Sequence, residues 1–305
     1  MSKKPSAIKY IGLLGCLFAI FILPSAGVAK PLVMQNDDVI VVYETSLEGA
    51  AEKLLRLYPD LKQELGQIFL WSLDIRPQVV LVKNTLAFRK LSRNDLFVAF
   101  AVPAKSLIVI DYSRMNQDPF SLRITFKHEL CHLLLHRHID NQHLTRWLEE
   151  GICQWASDGI GEILLDKRSS GLDAAIMTDR VLPFSRLAST FPRDKLSLML
   201  AYEQSKSVVN FIDRNYGKDA ILDLLDHLKN GESIDDAALK SIGITTLELE
   251  KDWLNHLERT PRWLVFLADN LYGIIFFLAA LLTIFGFVRR LMGRKAWESE
   301  EMNDE

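Results

Sequence analysis

The residues most able to do chemistry here are two histidines four apart with a glutamate between them, His128-Glu129-Leu130-Cys131-His132. On a helix, imidazoles at i and i+4 share one face and can hold one Zn²⁺ together. Glu129 beside them is placed to take a proton from water at such a centre. With only seven histidines in 305 residues, a chance match to this pattern is rare. A catalytic zinc takes three protein ligands and keeps a fourth position open. Downstream, Arg146-Trp147-Leu148-Glu149-Glu150-Gly151-Ile152 supplies a carboxylate at Glu150, 18 positions after His132. His138 lies six positions after His132, but with Leu135 between them and no glycine to turn the chain the helix carries it off the metal face. His136 is one more i+4 step along the helix and drifts too far to share a tetrahedral site. His136, His138 and His143 therefore read as solvated surface residues, and His227 and His256 lack ligand spacing.

A pair of this kind needs a helix held rigidly by a core. Short runs rich in Val, Ile and Phe precede it at Val39 to Tyr43, Val79 to Val82, Leu96 to Ala101 and Leu107 to Asp111, which read as strands. A helix opens at Thr45, where Glu48 three residues on makes a capping box. After Asp111 the texture is helical. Asp118-Pro119 is a cap and first-turn pair for a helix running to about Arg137, and another starts near Trp147. Lys195 to Tyr216 stops at Gly217, and Lys218 to Lys229 stops at Gly231. Ser233…Asp236 and Thr245…Glu248 open two more. A small sheet followed by a helical half is an α+β domain.

Composition is that of a globular protein, with 49% hydrophobic and 25% charged residues. A net charge of -3 argues against a nucleic-acid binder, which carries a basic surplus. Three cysteines are too few for a disulfide scaffold. Apolar residues concentrate at the two ends. Lys3, Lys4 and Lys9 precede an apolar run from Tyr10 to Leu23, then Pro24 and small residues through Ala29, so residues 1–29 read as a signal peptide. Leu271 to Val288 is 18 residues without a charge and spans about 27 Å as a helix, nearly a bilayer core. Trp263 and Tyr272 suit its outer interface. Arg289, Arg290, Arg294 and Lys295 mark the cytoplasmic side. The expected organisation is a domain over residues 30–262 outside the cytoplasm, a transmembrane helix over 263–288 and a cytoplasmic tail over 289–305.

The W-L-x-E-G arrangement of Trp147 to Gly151 after H-E-x-x-H resembles the gluzincin metallopeptidases, and most of all the bacterial peptidase MA-like group. The resemblance continues through Ala201-Tyr202-Glu203-Gln204-Ser205, Asn215-Tyr216-Gly217 and Glu248 to Trp253. It covers about residues 37 to 258, weakly in the sheet half and well from Lys127 onward. It implies a zincin-like fold, Zn²⁺ as cofactor and a peptide or protein as substrate. It places the third ligand on Glu150, beside His128 and His132, and leaves Glu149 as a solvent-facing neighbour. It also implies an oxyanion donor from a tyrosine on a later helix, best matched by Tyr202. Cys131 and Cys153 stand where relatives commonly carry Ala. Their two helices must pack closely, so these residues are either a disulfide formed in an oxidising compartment or two small buried thiols. No clear carboxylate emerges to orient the ligand histidines; Gln154 and Asp158 are nearest.

These readings together predict a zinc metallopeptidase anchored in a bacterial inner membrane, its active site on the periplasmic side and Glu129 its general base. Leu96 to Ala101 or Leu107 to Asp111 is expected to form the cleft edge and pair with extended substrate. The alternative is a non-catalytic, membrane-anchored binding protein on the same fold.

Overall fold

A computed structural model describes residues 31–115, 121–157, 171–259 and 262–301. The expected signal peptide and the Asp118-Pro119 cap lie outside the described residues. The chain divides into two compact units, Met1–Trp253 and Leu254–Glu305.

The first unit begins with a five-stranded sheet. Its elements are β1 (Leu32–Gln35), β2 (Ile40–Tyr43), α1 (Glu48–Phe69), β3 (Gln78–Val82), α2 (Thr85–Ser92), β4 (Ala99–Val102) and β5 (Leu107–Asp111). The strand order is β1-β2-β3-β5-β4. β2, β3 and β5 run parallel, with Val79 opposite Ile108, while β1 and β4 are antiparallel edges. Val79, Ile108 and Ile110 are fully buried, as continuous apolar runs require in the middle of a sheet. Helix α1 crosses between parallel β2 and β3. It buries Ala51, Leu54, Tyr58, Leu61 and Leu65, a three-to-four-residue spacing that keeps one stripe on the core.

Two elements, β1 and α2, lack a clear sequence signal. β1 is a four-residue edge strand alternating between exposed and half-buried positions. α2 buries only Phe88. The Thr45…Glu48 capping box does not form. Thr45–Leu47 instead makes a 3₁₀ turn that buries Leu47, and α1 starts without a side-chain cap.

The helical half follows as α3 (Leu122–His138), α4 (Arg146–Ala156), α5 (Gly171–Met177), α6 (Phe184–Leu187), α7 (Lys195–Tyr216), α8 (Lys218–Lys229), α9 (Ile234–Ile242) and α10 (Thr246–Arg259). Ser121 caps α3 by accepting from the Ile124 N–H at 3.2 Å. The caps at Ser233 and Thr245 form as expected, the second reciprocally through Glu248. Helix α3 is buried without interruption from Thr125 to Leu135, so it runs through the core rather than over it. α4 packs between α3 and α7. Gly151 permits the α7 contact: a Cβ there would lie 2.6 Å from Val209 Cγ2 and 2.9 Å from the Ser205 carbonyl carbon.

The second unit is dominated by α11 (Arg262–Glu301). Its Asn270–Phe287 segment is long and apolar enough to cross a membrane, and none of it is buried in the structure.

Candidate metal centre

His128 and His132 reach the site from successive turns of α3, and Glu150 reaches it from the second turn of α4. All three are buried, with Glu150 and His128 at 0% exposure. They offer one ligand atom each within 4.8 Å of one another. The two Nε2 atoms are 3.2 Å apart, and Glu150 Oε2 is 3.6 Å from that of His128 and 3.7 Å from that of His132. A point equidistant from the three lies about 2.0 Å from each, the bond length of zinc to imidazole nitrogen or carboxylate oxygen. Glu150 Oε2 has no hydrogen-bond partner among the described residues although it is wholly buried. A carboxylate oxygen in that state calls for a cation. Two imidazoles and one carboxylate thus fit zinc in both chemistry and spacing. His138 takes no part: its ring packs 4.8 Å from that of Trp71, and its Nε2 donates to the Ser72 carbonyl at 2.9 Å.

The neighbour of Glu150 corrects the reading of a solvent-facing side chain. Glu149 is buried, and its Oε1 accepts from His132 Nδ1 at 2.7 Å. With the proton on Nδ1, the His132 Nε2 lone pair faces Glu150 and His128. Glu149 Oε1 also accepts from His136 Nε2 at 2.8 Å, and Oε2 accepts from Arg146 at 3.1 Å. Burial would push the Glu149 carboxyl up, but His132, His136 and Arg146 together hold it well below the usual carboxylate range. Burial likewise opposes charge on His136, but the Glu149 carboxylate outweighs it and raises the imidazole above its usual value. His136 is therefore a partner of the site rather than a solvated residue. The orienting carboxylate is Glu149. Gln154 instead donates its amide to the Tyr202 carbonyl at 3.0 Å, and Asp158 lies outside the described residues.

Glu129 is fully buried and one helical turn from His132. Tyr202, from α7, is 1% exposed and directs its hydroxyl to Glu150 Oε1 at 3.5 Å. Cys131 of α3 and Cys153 of α4 stand at disulfide distance, with Cα atoms 5.4 Å apart. A cleft of about 260 Å³ opens beside the site. Its lining combines apolar Leu91, Phe97, Phe100 and Pro103 with polar His132, His136, Arg146 and Glu149. Of the two strands expected at the cleft edge, β4 is the outermost strand among the described residues and carries Phe100, whereas β5 lies between β3 and β4.

The Peptidase MA superfamily model matches residues 96–259, more than half of the chain and all of this site. The chain belongs to the Peptidase MA superfamily. As in the sequence reading, this Peptidase MA chain combines a small sheet, a helical half and the H-E-x-x-H helix, a zincin-like α+β fold. Similar solved structures include yeast LTA4 hydrolase in complex with bestatin, at TM-score 0.45 and 12% identity, covering 77% of this chain and 38% of that one. The M1 zinc metallopeptidase from Deinococcus radiodurans aligns at TM-score 0.43 and 16% identity, covering 75% and 50%. The chain therefore spans half or less of the length of these two proteins. No curated protein matches its sequence.

The contribution that sequence reasoning missed is that of Arg146 and Glu149. A signal was present: Arg146 stands three and four positions before two adjacent glutamates on a helix, the spacing of side-chain ion pairs.

Proposed function

We propose that this chain is a membrane-anchored zinc metallopeptidase that hydrolyses peptide bonds outside the cytoplasm. The observation that carries the reading is the convergence of His128, His132 and Glu150 from α3 and α4, with a buried Glu150 oxygen turned toward both imidazoles. Zinc held there supplies a Lewis acid for a peptide carbonyl and makes water acidic enough to ionise near neutral pH. Glu129 accepts the proton from the attacking water and delivers it to the leaving amine. Glu149 keeps His132 in the tautomer that presents Nε2. Tyr202 is the proposed donor to the developing oxyanion, on the strength of its hydroxyl's approach to Glu150. The outer edge of β4 offers backbone groups to an extended substrate, while the apolar residues lining the cleft take a side chain.

Membrane anchoring is supported by the exposed apolar stretch Asn270–Phe287. Arg289 and Arg290 at its end and the N-terminal layout of a signal peptide orient it. In this reading the chain resides in a bacterial inner membrane with residues 30–262 on the periplasmic side.

The test is the full-length protein in detergent, with zinc measured by elemental analysis and hydrolysis measured on a quenched-fluorescence peptide library. The expected result is about one zinc per chain and activity that disappears in Glu129→Gln while zinc is kept. Wild type without zinc, or Glu129→Gln with full activity, rejects the reading.

A further inference from the structure

We infer that Arg146 is a positioning residue that decides which oxygen of Glu150 is available to a metal and at the same time braces Glu149 against His132. The inference rests on the zinc reading above and adds to it a device outside the ligand set.

Arg146 is the first residue of α4, so Glu149 and Glu150 follow it at i+3 and i+4 and both carboxylates rise beneath its guanidinium. One terminal nitrogen lies 3.1 Å from Glu149 Oε2 and the other 2.5 Å from Glu150 Oε1. Each carboxylate therefore gives one oxygen to the arginine and keeps the other for an imidazole-facing role. Glu149 Oε1 accepts from His132 and His136. Glu150 Oε2 faces the two Nε2 atoms. The Tyr202 hydroxyl also addresses Glu150 Oε1, so both neighbours favour the same division of the carboxylate.

Only a planar fork can satisfy two carboxylates in this way; an ammonium is a single point of charge. The guanidinium also faces the Phe191 ring, whose centroid is 5.9 Å from Cζ. Without it, two adjacent carboxylates on one helix would stand buried without their shared cation, and Glu150 Oε1 would be released to join Oε2 at the metal. The arginine side chain is 34% exposed at the cleft, so its replacement removes charge from two buried carboxylates rather than bulk from the apolar core.

The test compares full-length wild type, Arg146→Gln and Arg146→Lys in detergent. Zinc dissociation constants are measured by chelator competition, the visible spectrum of the Co²⁺-substituted protein is recorded, and the metal-free proteins are melted. The zinc constant is expected to rise roughly 10- to 100-fold in Arg146→Gln and by less in Arg146→Lys. The Co²⁺ bands should weaken as Glu150 becomes bidentate, and the metal-free melting temperature should fall because two buried carboxylates lose their shared cation. Unchanged zinc constants and Co²⁺ spectra in both variants, or a weaker zinc constant with an unchanged Co²⁺ spectrum, overturn the inference. If Arg146→Gln does not fold, Arg146→Lys decides alone, and a wild-type spectrum in it is refuting. A wild type that takes up no zinc rejects the zinc reading and this inference with it, whereas wild-type uptake with unmoved variants rejects only the inference.

Discussion

Gly151→Ala isolates the contact that sets the depth of Glu150. In an ordinary helix this change stabilises by about 1 kcal/mol, because alanine loses less backbone freedom on folding. Here the new methyl would lie 2.6 Å from Val209 Cγ2 and 2.9 Å from the Ser205 carbonyl carbon. Carbon atoms prefer separations of about 3.5–4.0 Å, so α4 and α7 must part by about 1 Å. The Val209 methyl can rotate aside, but the Ser205 carbonyl is fixed in the α7 backbone. Overpacking of this kind costs about 1–3 kcal/mol, and a backbone obstruction places it at or beyond the top of that range. Subtracting the propensity gain leaves a net loss of about 2 kcal/mol. For a domain of this size that corresponds to a melting temperature lower by about 4–8 °C. The assay is thermal unfolding followed by tryptophan fluorescence, with zinc affinity measured in parallel because Glu150 is the adjacent residue. Gly151→Ala/Val209→Ala should recover only part of the loss. A Gly151→Ala protein as stable as wild type, or more so, would refute the argument from close helix approach.

Other outcomes follow from the site and its surroundings. Glu149→Gln keeps an acceptor for His132 but removes the charge that His132, His136 and Arg146 share, so zinc affinity should fall roughly 10- to 100-fold by chelator competition. If Cys131 and Cys153 are bonded, the link closes a chain separation of 22 residues, and its reduction should lower stability by about 3 kcal/mol in denaturant titrations with and without reductant. Burial raises the Glu203 carboxyl above its usual 4.5 despite the hydrogen bond from the Leu172 N–H. The group therefore contributes stability that is full below about pH 4.5 and is lost as pH rises through the raised value. Glu203→Gln, which still accepts from Leu172, should melt higher than wild type at pH 7 and equally at pH 4. Deleting residues 270–305 should move the protein from the carbonate-resistant membrane pellet to the soluble fraction, and retention in the pellet would contradict the anchor.

Where periodicity and punctuation were strong, the chain could be read directly. α7 and α8 end where Gly217 and Gly231 provide backbone at positive φ. β5 spans the expected Leu107 to Asp111 because an unbroken apolar run suits a strand covered on both faces. β1 and α2 were not legible, since short elements that bury few side chains leave little pattern to detect. The Thr45…Glu48 box failed because the need to bury Leu47 outweighed a local cap.

The sequence by itself determined the shared helical face of His128 and His132, since the i, i+4 relation is a property of one helix. It also placed a carboxylate at Glu150 and set an 18-residue apolar stretch at the far end of the chain. Tertiary structure alone decided that Glu150 meets those imidazoles at 3.6 and 3.7 Å, because that distance depends on how α4 packs against α3 and α7. It decided as well that Glu149, adjacent to Glu150 and polar by type, is buried between His132, His136 and Arg146. A charged side chain reads as exposed in sequence because burial is costly, and only the fold assembles the three donors that offset the cost.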